Sequence, residues 1–304
     1  MKQNKMLIAD GKILYSVVKE AIKEAGYSLQ SKNINSVLVW YDNLRETDFY
    51  STLKPWQVVN RIPFINLICR KAPFIQLMNR MKVFFPSLYT FHPLSMILPV
   101  CNNQFQKLVS NHDKKYIVKP DNGSLGCGIT ILSKNSIFKP IKNLCVAQEY
   151  IDSYLIDETK FDLRVYALVS SVTPLQIYVY HDGIARFCSE KSTVNNIFSQ
   201  LTNTAVNRNN PNAKIESITK TIFEVFQILE QKGVDTGLIW SKIENAVILT
   251  ILPAINYMKF GVSQKGLSKG YNRCFQILGF DFILDNDLNP FILEVNYRPS
   301  LDTD

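Results

Sequence analysis

The run Phe280-Asp281-Phe282-Ile283-Leu284-Asp285-Asn286-Asp287-Leu288-Asn289-Pro290-Phe291-Ile292-Leu293-Glu294-Val295-Asn296 places two apolar arms around a turn rich in Asp, Asn and Pro. That pattern predicts a β-hairpin. A four-residue loop over Asn286 to Asn289 sets Asp285 opposite Pro290, and the same register sets Asp281 opposite Glu294. Alternation of side chains along a strand then puts Asn296 on the face of Glu294. Like charges directly opposed destabilise a sheet unless a cation lies between them, so two carboxylates and an amide predict a hard-oxygen site suited to Mg²⁺.

Upstream, Lys160-Phe161-Asp162-Leu163-Arg164-Val165 alternates with period two, which collects Lys160, Asp162 and Arg164 on one face and Phe161, Leu163 and Val165 on the other. An apolar run follows, so the strand is central and buried, and its charges line a cleft rather than a solvated edge. Further back, Tyr116-Ile117-Val118-Lys119 ends a β-type run in a lysine, after which Gly123, Gly126 and Gly128 punctuate a loop leading into Ile129 to Leu132. Glycines let backbone N–H groups approach a phosphate, and a buried lysine adds a fixed cation. A hairpin turn uses glycine equally well, and this feature alone leaves both readings open.

The remaining chain supplies a scaffold. Ile34 to Tyr41 reads as a buried strand, and Val58 to Phe85 as helix interrupted at Pro63 and Pro73. Ile215 to Lys232 reads as an amphipathic helix, and Trp240 to Tyr257 as a buried one. A small N-terminal unit over 1–85, a central unit over 86–148 and a larger C-terminal unit over 149–304, built on antiparallel strands, form an α/β (α+β) protein.

Composition narrows the function. Among 304 residues, 34 are Lys or Arg against 26 Asp or Glu, a formal charge of +8 that points to an acidic partner. No acidic residue occurs from Phe49 to His112, whereas Lys54, Arg61, Arg70, Lys71, Arg80, Lys82 and Lys107 fall there. That stretch is either a solvated face or a docking surface for an acidic polymer. Only three histidines occur (His92, His112, His181), without zinc-ligand spacing, and no P-loop, HRD or DFG motif is present. The six cysteines include no CxxC pair, and the residues after Met1 resemble no secretory leader, which predicts a reducing cytoplasmic setting. The longest apolar stretch, Ala246 to Ile255, already contains Thr250 and Pro253 and falls short of the roughly 20 residues of a membrane span, so no membrane is expected. The basic composition with Tyr41, Trp56, Phe84, Phe85 and Tyr89 raises nucleic-acid binding as a rival, but no RNP, KH or helix-turn-helix pattern supports it.

Taken in order, INRIPFINLICRK with LMNRM, YIVKP with its glycine loop, AQEYID, KFDLRVYALV, PLQIYVYHDGIARFCSEK, Leu201-Thr202-Asn203, and CFQILGFDFILDNDLNPFILEVN with PSLDTD resemble the tubulin tyrosine ligase-like family, which shares the ATP-grasp fold. The resemblance implies that Lys119, beneath Gly126 and Gly128, meets the phosphates of ATP. It implies that Gln148, Glu149, Tyr150 and Ile151 form the adenine hinge, with Lys160 on adenine and Asp162 on ribose. Arg164 and Arg186 are implied at the γ-phosphate and acyl-phosphate, and at the incoming amino acid, with Thr202 and Asn203 beside them. Asp281, Glu294 and Asn296 are implied to hold Mg²⁺.

By the same resemblance, a glutamate side chain of the acceptor is activated as an acyl-phosphate and attacked by the α-amine of a free amino acid. The ICRK, LMNRM and KFDLR stretches look most like the glutamate-adding branch, with glycine- or tyrosine-adding relatives and a catalytically degenerate microtubule-binding module as alternatives. Glutamate, ATP and Mg²⁺ are then the small molecules expected, and a monomer acting on acidic tubulin tails at cytoplasmic microtubules, including those of a cilium or basal body, is the expected form. Two departures stand out: Cys127 replaces an arginine or lysine usual in the glycine loop, and Tyr297-Arg298-Pro299-Ser300 follows Asn296 where a variable residue and Ser-Pro-Ser are usual. Lys191 and Arg298 are candidates for an amino-acid or acceptor carboxylate, with a plain surface role for Arg298 as the alternative. The microtubule-binding extensions of relatives are expected to lie outside a chain ending at Asp304, leaving Lys54 to Lys107 as the docking face.

Overall fold

Short β-branched and aromatic runs settle into three sheets in the computed structural model, which describes residues 7–13, 15–30, 35–42, 47–111, 113–123, 126–133, 136–213, 218–267 and 271–301. The first sheet is parallel, with β1 (Leu7–Lys12), β2 (Tyr27–Leu29), β3 (Leu38–Tyr41) and β4 (Val58–Val59) in the order β2-β1-β3-β4, and α1 (Ser16–Glu24) joins β1 to β2. The strand expected from Ile34 begins only at Leu38. Ser36 is buried, and its carbonyl and hydroxyl oxygens accept from Gln57 Nε2 at 3.2 and 2.9 Å, which holds that segment by side-chain bonds instead of a ladder. Ile34, like His112, Ser124, Leu125 and Ile215, lies outside the described residues.

The prolines act where a missing N–H costs little: Pro63 precedes α2 (Asn66–Cys69), and Pro73 sits in the first turn of α3 (Lys71–Phe84). The second sheet is antiparallel, with β5 (Ser95–Leu98), β6 (Tyr116–Pro120), β7 (Thr130–Leu132) and β8 (Cys145–Glu149) in the order β5-β8-β6-β7. One face packs Leu98, Tyr116, Val118 and Ala147 against Phe105 and Val109 of α4 (Asn102–Asn111).

The third sheet, also antiparallel, runs β12 (Thr219–Thr221), β11 (Leu175–Phe187), β10 (Thr159–Val172), β13 (Gln276–Leu284), β14 (Pro290–Asn296), with β9 (Leu155–Ile156) paired to β10. Around it lie α5 (Ile197–Gln200), α6 (Thr204–Asn207), α7 (Ile222–Gln231), α8 (Thr236–Ile251) and α9 (Ile255–Gln264). Leu163, Val165, Phe280 and Phe282 from the sheet share one core with Ile243, Val247 and Met258 from the helices and with Ile62, Ile68 and Met78 from before the second sheet. At roughly 1.5 to 3 kcal/mol for each fully buried large apolar side chain, this core dominates the fold's stability.

Two helix expectations need correction. The helix predicted from Ile215 starts at Ile222, because Thr221 and Glu224 form a capping box: Thr221 Oγ1 accepts from Glu224 N at 3.1 Å, and Glu224 Oε2 accepts from Thr221 N at 2.7 Å. The helix expected over Trp240–Tyr257 is longer at both ends. With a tight turn at Leu252–Ala254, Thr236–Gln264 gives 29 helical residues that contain an 18-residue window of mean hydropathy 1.5, long and apolar enough to cross a membrane by length and composition. Ile239, Ile243, Val247, Met258 and Val262 are packed into the core, which supplies a packing reason for the apolar sequence.

Candidate active site

A cleft opens between the second and third sheets, lined by apolar and charged side chains together, the mixture a small-molecule site presents. Its apolar walls come from Ile117, Ile129, Leu201, Ile283 and Leu293. The glycine loop borders it through Gly126, whose φ of +80° suits glycine, and where a Cβ would lie 2.6 Å from Val206 Cγ2. Gly128 also has a positive φ, +72°, but is not among the lining residues.

Most residues singled out in the sequence converge here: Lys119, Gln148, Glu149, Tyr150, Ile151, Lys160, Asp162, Arg186, Thr202, Asn203, Asp281 and Glu294 all line the cleft. Lys119 is buried at the end of β6 and donates to Gln148 Oε1 at 3.1 Å; burial lowers its pKa, opposed by the charge of Glu294. Gln148 in turn donates to Ser95 Oγ at 3.2 Å, so both polar ends of its amide are fixed. Lys160 lies 3.7 Å from the Tyr150 ring centroid, and burial pulls its pKa down to about 8 against the opposing charges of Cys188 and Asp162. Glu149 pairs with Lys114 at 2.5 Å, at the rim.

Alternation on β10 and β11 builds an acid–base lattice on the floor. Asp162 stands opposite Arg186, and the guanidinium donates from Nε and Nη2 to the two Asp162 oxygens at 2.7 and 2.6 Å. Thr202 Oγ1 adds a bond to Asp162 at 2.7 Å. Arg186 Nη2 also lies 3.0 Å from Asp281 Oδ2, and Arg164 pairs with Asp281 through Nε and, at 3.0 Å, through Nη2. Burial favours the neutral acid at Asp281, but the two arginines outweigh it and hold the carboxyl below the ordinary range.

The hairpin brings Asp281 opposite Glu294, as expected, by a different route. Leu284, not Asp285, stands opposite Pro290, and a bulge between Phe282 and Asp281 shifts the register by one at Leu293. Asp285 instead closes the turn: Oδ1 accepts from Asp287 N and Asn289 N at 3.0 and 2.7 Å. Because of the bulge, both Leu293 and Glu294 reach the cleft. Asn296 stays at the edge of the pair, its Nδ2 donating to Asp281 Oδ2 at 3.4 Å. Among the described residues no group of three or more His, Cys, Asp or Glu forms a metal cluster.

Five expected site residues are not among those lining the cleft: Gly128, Arg164, Lys191, Asn296 and Arg298. Arg164 and Asn296 still touch it through their bonds to Asp281, which does line it. Lys191 pairs with Glu158 at 2.7 Å on the surface, with both side chains more than half exposed. Arg298 borders a second hollow beyond the end of β14. The basic stretch is also divided: Arg61 is 4% exposed, and Arg70 pairs with Asp121 at 2.5 Å.

Lys71, read in the sequence only as part of that basic stretch, enters the cleft. Its Nζ donates to Gly123 O at 2.8 Å and lies 3.5 Å from Glu294 Oε2. Asp121, just after Lys119, positions it: Oδ1 accepts from Ala72 N at 2.8 Å while Oδ2 holds Arg70, which pins the start of α3 to the glycine loop. Nothing local to ICRK announces this, and the sequence reading gave Lys71 no place in the site.

The chain is thus a mixed α/β protein in which a buried lysine, a glycine loop and two facing acids border one cleft. Residues 50–304 match the tubulin-tyrosine ligase family, to which the chain belongs. It is 33% identical, over 98% of its length, to a probable beta-tubulin polyglutamylase of Tetrahymena thermophila. It shares the same identity, over 95% of its length, with tubulin polyglutamylase TTLL7 of Homo sapiens and tubulin polyglutamylase ttll6 of Danio rerio. The matched region covers 26%, 35% and 39% of those three proteins.

Proposed function

We propose that the chain is an ATP-dependent ligase that joins free glutamate to glutamate side chains in the acidic C-terminal tails of tubulin, in a cytoplasmic, microtubule-associated setting. The observation that carries this reading is the placement of Asp281 opposite Glu294 on the wall of a cleft that Lys119 also lines. The relatives named above, tubulin polyglutamylases, support it. In this reading the second and third sheets grip ATP in an ATP-grasp arrangement, with units divided near residues 85 and 148.

Ile117, Leu201 and Ile283 offer an apolar slot for adenine, with Lys160 and the backbone from Gln148 to Ile151 at its edge. Lys119 and Lys71 supply cations for the phosphates, and Arg186 is positioned to follow charge as it moves onto the transferred phosphoryl group. The oxygens of Asp281, Glu294 and Asn296 have the hard-donor chemistry of a Mg²⁺ site. Glu294 has one ion-pair contact among the described residues, Lys71, and feels the charge of Lys119, whereas Asp281 already accepts from Arg164, Arg186 and Asn296. Glu294 is therefore the principal candidate ligand, with Asp281 contributing once a donor has turned to phosphate. Bound there, the ion would neutralise charge on the phosphates.

The acceptor carboxylate attacks the γ-phosphorus and releases ADP; the amine of free glutamate then attacks the acyl carbon, and phosphate leaves as the amide forms and a proton is lost. No side chain serves as a covalent nucleophile. A second reading, a non-catalytic microtubule-binding module, draws on Cys127 standing in the glycine loop without a cation. The test is incorporation of labelled glutamate, glycine and tyrosine, offered separately, into tubulin. Glutamate should be incorporated, and Glu294→Gln should abolish incorporation while microtubule co-sedimentation persists; binding without turnover in either form would favour the second reading.

A further inference from the structure

The face of the second sheet turned away from α4 carries a row of polar side chains that ends at the cleft. Ser95 stands opposite Gln148 in the β5–β8 ladder, Gln148 stands opposite Ile117 in the β8–β6 ladder, and Lys119 follows Ile117 on the same face. Ser95 and Gln148 are 3% and 1% exposed, so their polar atoms depend on partners within the protein. Asn79 of α3 holds the start of the row in place, its Nδ2 donating to Ser95 O at 2.9 Å. Ser95 itself is not among the residues lining the cleft.

Donors and acceptors in this row match in one direction only. Ser95 Oγ lies 2.8 Å from Pro93 O, a carbonyl that can only accept, and the hydroxyl has a single hydrogen to give. His92 Nε2 comes no nearer than 3.5 Å, so the carbonyl takes that hydrogen. Ser95 Oγ is then left as an acceptor, and Gln148 Nε2 donates to it at 3.2 Å. With its nitrogen so held, Gln148 turns Oε1 toward Lys119, whose ammonium can only donate and does so at 3.1 Å. A reversed amide would set N–H donors against a buried ammonium, at a cost. Gln148 is the one hydrogen-bond acceptor of Lys119 among the described residues, which leaves two of the ammonium's three donors for a ligand in the cleft that Lys119 lines.

We propose that Ser95 is a positioning residue for phosphate binding: through Gln148 it aims the Lys119 ammonium into the cleft. The role rests on the ATP reading for the identity of the ligand, and it assigns a task in that site to a residue that does not line it.

The test is a double-substitution cycle on the whole chain, with dissociation constants for ATP and for adenosine measured by calorimetry and melting midpoints as the folding control. Ser95→Ala should weaken ATP binding about tenfold and leave adenosine, which has no phosphate, unchanged. Ser95→Thr, which keeps a hydroxyl, should stay within about threefold of the parent. In the Lys119→Met background, Ser95→Ala should change neither constant. An ATP affinity indifferent to Ser95→Ala, an equal loss for ATP and adenosine, or a full loss in the Lys119→Met background would overturn the role. The same cycle read by urea denaturation needs no nucleotide: Ser95→Ala should cost less stability when Lys119 is replaced, because no ammonium then faces the released amide. Coupling in urea with no ATP bound by the parent removes the nucleotide reading and keeps the Ser95–Gln148–Lys119 relay, while ATP binding with additive effects throughout does the reverse.

Discussion

Glu294 faces Asp281 across β13 and β14 although the turn between them closes on Leu284 and Pro290, and the bulge at Leu293 supplies the missing residue. Bulges re-aim side chains at functional sites, and this one turns two consecutive residues of β14 toward the cleft. Leu293 adds apolar wall and Glu294 adds charge. Leu293→Ala should accordingly raise the KM for ATP several-fold with little change in kcat, the pattern of lost uniform binding, as steady-state kinetics at varied ATP would show. A fall in kcat of the same size as the loss in kcat/KM would place Leu293 in the reacting centre instead.

Glu294→Gln separates function from stability. Removing one of two opposed carboxylates relieves repulsion within the sheet, so the melting temperature of the nucleotide-free protein should stay level or rise. Turnover should fall by about two to three orders of magnitude, the scale for losing one preorganised electrostatic contact. If the variant melts well below the parent, the residue is holding the hairpin together and the turnover result loses its meaning.

Arg186, itself partly buried, joins the buried Asp162 to the buried Asp281. Arg186→Gln leaves two buried carboxylates short of a cation, which should cost about 3 to 5 kcal/mol in urea denaturation at neutral pH. The pH dependence has a definite sign. Asp281 has a folded pKa below its unfolded value, so its contribution is present above roughly pH 4 and is lost as pH falls through the folded value. The parent should lose stability on acidification below about pH 4, and the variant should lose less; parallel curves would show that Arg186 does not set the ionisation of Asp281.

The parts of the site legible in the sequence are those fixed by strand alternation. Lys160 and Asp162 could be placed in one cleft because period two leaves a strand no other choice, and the Asp281 and Glu294 pair was legible because both arms of the hairpin were. Arg164 obeys the same alternation, and its guanidinium is committed to Asp281 directly opposite on β13, a pairing across strands that periodicity does not encode. Lys71 was hidden for the opposite reason: its place depends on Asp121, fifty residues on, capping the start of α3. The start of α7 was readable from Thr221 and Glu224, three apart, and was obscured by the apolar residues before them.

Lys71 tests that hidden contact. Its Nζ ties the glycine loop to Glu294, so Lys71→Met should loosen the loop and remove a cation from the phosphate region. The expected result is a rise of about tenfold in the KM for ATP, with an effect on stability under about 1 kcal/mol because the side chain is only partly withdrawn from water. An unchanged KM would confine Lys71 to the surface electrostatics of α3.

Lys160 is a buried cation without a carboxylate bonded to it among the described residues, resting on the Tyr150 ring. Burial lowers its pKa from 10.5 to about 8, which corresponds to about 3 kcal/mol of cost to the folded, protonated state. The unfolded chain keeps its proton up to about pH 10.5, so between about 8 and 10.5 it binds more protons than the folded chain, and raising the pH favours folding there. Lys160→Met keeps the apolar stem and removes the charge. The variant should be more stable than the parent at pH 7 by about 1 to 3 kcal/mol, allowing for the lost contact with the Tyr150 ring, and the gap should close as the pH passes from 8 to 10.5. Urea denaturation of both proteins across that range measures the gap directly and cancels titrations they share. A gap that stays constant with pH would mean that Lys160 gains its partners from the surrounding charges and holds its proton as an exposed lysine does.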